Sequence, residues 1–123
     1  MTRIVQSGFK ITEAQLQLAV KQFADLHLLP MHHSPNEARR SPQLGKRLKD
    51  EGMIPGFSDC FFMRSSANGY YKGLFIELKI PPNKPTVTQK NFLELIKNEG
   101  YLGIVCYGID DAINAIKMFY DLY

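Results

Sequence analysis

At 123 residues, 45% of them apolar, the chain is long enough for one domain with a buried core and too short for several. No apolar run approaches the roughly 20 residues of a membrane-spanning helix, and the opening residues lack the apolar core and cleavage site of a secretion signal, which points to a cytoplasmic protein. A formal net charge of +3 falls short of the strongly basic balance of a protein that holds nucleic acid by charge alone.

In chain order, residues 1–10 are weakly specified. A helix is expected from about Ile11, capped by Thr12, with Glu13 in its first turn. Leu16, Val20 and Phe23, with Leu26 or His27, recur at helical spacing, and the helix should stop near Leu29-Pro30. Met31 to Gly56 reads as a long loop broken by Pro35, Pro42, Pro55, Gly45, Gly52 and Gly56, with a short amphipathic turn over Pro42 to Glu51. Long loops of this kind are often functional. His32 and His33 lie in it without the spacing of metal ligands. So does a basic cluster of Arg39, Arg40, Lys46, Arg47 and Lys49, which suits either phosphate contacts or a solvated face.

Pro55-Gly56-Phe57-Ser58-Asp59 forms a turn into a buried strand, Cys60 to Met63, and Ser-Ser-Ala-Asn-Gly offers a hairpin connection after it. A second strand is expected from about Tyr70 to Ile80. Thr86 and Gln89 have the spacing of a capping box, so a helix opens there, with Phe92, Leu93 and Ile96 inward and Gly100 as its stop. Leu102 to Tyr107, apolar throughout, reads as a central strand. Asp110 or Asp111 then caps a last helix that turns Ala112, Ile113 and Ile116 inward, with Phe119 or Tyr120. Cys60 and Cys106 read as buried apolar thiols. The order α-β-β-α-β-α, a hairpin and a third strand joined through a helix, gives an α/β fold with a mixed sheet flanked by helices.

The charged end of the second strand stands out. Residues two apart on a strand share a face, so Glu77 and Lys79 point one way while Ile76 and Leu78 point the other. Buried charges need a partner or a metal. A cross-strand ion pair and an active site both satisfy that need. An antiparallel hairpin brings Asp59 toward Glu77, given a bend or bulge to absorb the offset between them. Asp59, Glu77 and the main-chain carbonyl of Leu78 would offer oxygens to Mg²⁺, and Lys79 could steady charge at a phosphate.

Ser58-Asp59 followed by Ile76-Glu77-Leu78-Lys79 resembles the PD-(D/E)xK nuclease signature. Pro35-Asn36-Glu37 with Arg40, Gly52-Met53-Ile54-Pro55-Gly56, Gly73 to Lys79, Thr88-Gln89 and Glu99-Gly100-Tyr101 extend the resemblance. Together they look like a VRR-Nuc domain (virus-type replication-repair nuclease) spanning about Glu13 to Tyr123, so that residues 1–123 form a single nuclease domain. The resemblance implies a restriction-endonuclease-like core and a Mg²⁺-dependent, or Mn²⁺-dependent, endonuclease. Asp59 and Glu77 would bind metal and Lys79 would be the catalytic lysine. Glu13, with Glu37 as its competitor, would be the auxiliary acid, and Gln89 would stand close by. Asn36, Arg39, Arg40, Lys46 and Arg47 would meet DNA. Ser58 replaces the signature's proline. Stand-alone members of bacteria and phages resemble dimeric junction-resolving enzymes, so the expected substrate is branched DNA and the expected assembly a homodimer. A flap or single-strand nuclease, or a DNA-binding module with little activity, are the alternatives.

Overall fold

The computed structural model describes residues 11–34 and 41–123. In chain order the elements are α1 (Glu13–Leu26), β1 (Met31–His33), α2 (Pro42–Asp50), β2 (Cys60–Phe62), β3 (Leu74–Lys79), α3 (Val87–Asn98), β4 (Leu102–Tyr107) and α4 (Ile109–Tyr120). The four strands form one mixed sheet in the order β1-β2-β3-β4. β1 and β2 are antiparallel, as are β2 and β3, and β4 runs parallel to β3.

Local chemistry accounts for the helix starts. Thr12 and Thr86 each accept the N–H of the third helical residue, Gln15 and Gln89, whose side chains accept the cap residue's own N–H in return. α2 opens with Ser41 as cap and Pro42 at its first position. α4 departs from expectation. Gly108 precedes its first turn and neither aspartate caps it; Asp111 instead accepts the main-chain N–H of Tyr107 at 2.8 Å.

Two apolar layers sandwich the sheet. Leu74, Ile76 and Leu78 of β3 join Cys60, Phe62 and Cys106 against Leu16, Val20 and Ala24 of α1 and Ala112, Ile116, Phe119 and Tyr120 of α4. On the other face Phe75 packs on Phe92 and Ile96 of α3, with Phe61 stacked at 4.3 Å. Both cysteines are buried free thiols, and burial pushes each up to about 12, so they behave as small apolar groups.

Several expectations are corrected. Met31–His33 is a short edge strand rather than loop, and it places His32 and His33 on the sheet. The second hairpin strand starts at Leu74, not near Tyr70. Tyr71 packs toward Phe119 instead, while Tyr70 is exposed. β4 lies at an edge rather than in the centre. Its apolar sequence reflects helices on both faces, which bury Cys106 and half-bury Leu102 to Val105. In α1 the buried stripe runs through Leu16, Val20 and Ala24, leaving Leu26 exposed.

Candidate active site

Asp59 precedes the first residue of β2. Its carbonyl accepts the Ser34 N–H at 2.8 Å, so the edge strand β1 pins its main chain, and His33 Nδ1 stands 3.2 Å from the same oxygen. Cys60 pairs with Ile76 across the β2–β3 ladder. One step further in that register, Asp59 falls opposite Glu77. No bulge is needed, because residues 63–73 all belong to the connection. The alternation that sends Ile76 and Leu78 into the α1–α4 core turns Glu77 and Lys79, with Phe75, toward α3.

Two like charges directly opposite on a sheet repel each other. Glu77 is 2% exposed. Its Oε2 accepts from Gln89 Nε2 at 3.0 Å and faces Lys79 Nζ at 3.6 Å. Its Oε1 is buried with no hydrogen-bond partner among the described residues. Burial, and then the negative charge of Asp59, push the Glu77 carboxyl from 4.5 up to about 8 against the opposing pull of Lys79. Lys79 opposes this rise without cancelling it.

Asp59 is oriented by two donors. Its Oδ2 accepts the main-chain N–H of Leu78 at 2.7 Å, and its Oδ1 accepts from Gln17 Nε2 of α1 at 3.4 Å. The N–H and C=O of one strand residue point to the same side, so the Leu78 carbonyl also lies on the Asp59 side of β3. Gly56 sets the approach of this segment to α3. With φ +77, its Cα sits so near α3 that a Cβ would stand 2.3 Å from the Thr88 carbonyl oxygen. Only glycine fits there without displacing the helix start that carries Gln89. Gln89 in turn links two tasks, since its Oε1 accepts the Thr86 N–H at 2.8 Å while its Nε2 holds Glu77.

The donors gathered here are all oxygens, as hard divalent cations require, and Glu77 Oε1 lacks the partner that a buried carboxylate oxygen needs. Among the described residues no third His, Cys, Asp or Glu completes a ligand set, so the remaining positions would fall to main-chain carbonyl, water or substrate oxygens.

The other expected site residues are distributed as follows. Glu13 is half-buried in the first turn of α1, four residues before Gln17 and so on the same face. Lys46 and Arg47 are exposed on α2, which buries no residue, and they pair with Asp50 at 2.7 Å and Glu51 at 3.8 Å. Asn36, Glu37, Arg39 and Arg40 lie outside the described residues. Gln17 is the residue that sequence reasoning passed over. The one signal for it was its helical spacing from Glu13, because its partner is 42 residues away along the chain.

No protein-family model and no curated protein matches the sequence. Solved structures do. A protein described as a VRR_NUC domain protein superposes with a TM-score of 0.77 at 27% identity, covering 93% of this chain and 92% of its own. A second, described as a VRR_NUC domain, shares the fold at 18% identity, with a TM-score of 0.59 over 88% of this chain and 97% of its own. A match of that extent supports a VRR-Nuc domain, and the four-stranded mixed sheet with its flanking helices is a restriction-endonuclease-like α/β fold.

Proposed function

We propose that this domain is a divalent-cation-dependent endonuclease acting on structured or branched DNA, with Mg²⁺ as its cofactor and Mn²⁺ as the alternative. The observation that carries the reading is the pair of neighbouring carboxyl groups, Asp59 and Glu77, at one strand end, with one buried oxygen that has no partner among the described residues and Lys79 alongside. Asp59 and Glu77 would hold the cation with the Leu78 carbonyl. When bound, a cation of this kind polarises a phosphate oxygen and acidifies a coordinated water.

The chain's own residues do the rest. Lys79 Nζ, on the Glu77 face, supplies positive charge where negative charge develops at phosphorus, and it needs no deprotonation for that. Gln89 keeps Glu77 Oε2 turned toward α3 and so leaves the buried Oε1 for the cation. Glu13 on α1 is the auxiliary acid. Lys46 and Arg47 on α2, with Asn36, Arg39 and Arg40, contact DNA phosphates, which stay accessible to them because surface ion pairs such as those on α2 are weak.

A four-way junction has two-fold symmetry, which suits a two-fold enzyme, so the proposed assembly is a homodimer that resolves Holliday junctions. Phe119 and Tyr120 belong to the core, whereas Met118, Tyr123, Leu18 and Leu26 stand exposed and could contribute to such a contact.

The test is cleavage of labelled junction, flap, single-stranded and duplex DNA with Mg²⁺ or with EDTA, alongside the mass in solution. Metal-dependent cutting of the junction by a dimer, lost in Glu77→Ala and Lys79→Ala, is the expected result. Cutting that persists in both variants would remove the assigned site. Preference for the flap or the single strand would change the substrate, and binding without any cutting would leave a DNA-binding module.

A further inference from the structure

Glu77 and Asp59 are held in parallel ways from opposite sides of the sheet. Gln89 of α3 donates to Glu77 Oε2 at 3.0 Å, and Gln17 of α1 donates to Asp59 Oδ1 at 3.4 Å. Each carboxylate thus receives one carboxamide from one helix. A neutral amide fixes the direction of a carboxylate without cancelling its charge. The main-chain N–H of Leu78 engages Asp59 Oδ2, and Gln17 adds a second point of attachment at Oδ1. At 3.4 Å the amide contact is at the long end for an N–H···O bond. Bonds of this sort in empty sites commonly tighten once the reacting partner is bound.

We propose that Gln17 is a positioning residue that orients Asp59 Oδ1 for cation binding, the counterpart on α1 of Gln89 on α3. The inference rests on the cation-dependent reading above. Groups that hold a metal ligand in place typically contribute about 10–100-fold in metal affinity or activity when removed. Gln17 contacts only one of the two carboxylates and is half-buried, so the lower end, about tenfold, applies.

The experiment is calorimetric titration of the full chain with Mn²⁺, without DNA, for wild type and for Gln17→Met, which keeps the length and loses the amide. Thermal unfolding in EDTA accompanies it. The expected result is a dissociation constant weakened about tenfold in the variant while the metal-free melting temperature moves by no more than about 2 °C. Gln17→Leu serves as a second variant should the first fold poorly. Affinity within twofold of wild type overturns the positioning role and leaves the nuclease reading intact. A weaker affinity accompanied by a large fall in metal-free stability assigns Gln17 a structural role and also overturns it. Failure of wild type itself to bind Mn²⁺ removes the cation seat, and with it both readings.

Discussion

Replacing Glu77 by glutamine tests the electrostatics of the site directly. The folded protein holds the Glu77 proton up to about 8, against 4.5 for an ordinary glutamate. Below pH 4.5 the group is protonated in both folded and unfolded chains, and above about 8 it is ionised in both. Between those limits the folded chain binds a proton that the unfolded chain has released, so stability must fall as pH rises. Each pH unit across the window is worth about 1.4 kcal/mol, which sets a ceiling of roughly 5 kcal/mol for the whole span. Water entry and relaxation around the carboxylate lower this, and a loss of about 2–3 kcal/mol is expected, a large share of the 5–15 kcal/mol typical of a domain. The assay is urea unfolding in EDTA at intervals from pH 5 to pH 8.5, for wild type and Glu77→Gln. Wild type should lose stability relative to the variant as pH rises, and Mg²⁺ at pH 8 should restore it in wild type alone. A wild-type-minus-variant difference that stays flat, or grows with pH, would refute the account of a buried carboxylate pressed by Asp59.

Gly56→Ala should destabilise by about 2 kcal/mol or more, from a strained positive φ and the contact with Thr88. That corresponds to a fall of roughly 8 °C in melting temperature, and a change under about 1 °C would contradict the close approach. Ser58 is buried, and its hydroxyl has no partner among the described residues. Ser58→Ala should therefore be neutral or mildly stabilising in thermal unfolding, and a loss above about 1 kcal/mol would mean that the hydroxyl is engaged. Tyr120 OH donates to the Arg64 carbonyl at 2.6 Å. Tyr120→Phe should lose about 1 kcal/mol in urea unfolding, and an unchanged midpoint would count against that bond.

Much of the architecture was legible because local rules govern it. Thr12 and Thr86, each three residues before a glutamine, mark helix starts that hydrogen bonds within one turn then form. The aspartates after β4 misled because a glycine with φ +91 supplies the turn that a capping side chain would have supplied. β1 escaped notice because Met-His-His is too short and too polar to show alternation, and it is a strand only because β2 lies beside it. For the site, the pairing of Glu77 with Lys79 follows from alternation within one strand. The distance from Asp59 to Glu77 does not, since it depends on how many residues the connection takes up.

By itself, then, the sequence determined the helix boundaries at Thr12 and Thr86 and the two faces of Leu74 to Lys79. These are short-range matters of hydrogen bonding within a turn and of the pleat's period. Tertiary structure alone decided that Asp59 comes close enough to act on Glu77, that β4 is an edge, and that Gln17 reaches Asp59 from a helix 42 residues away. Those depend on register and on helices packing against the sheet, where burial is shared among distant segments and no local pattern records which of them will meet.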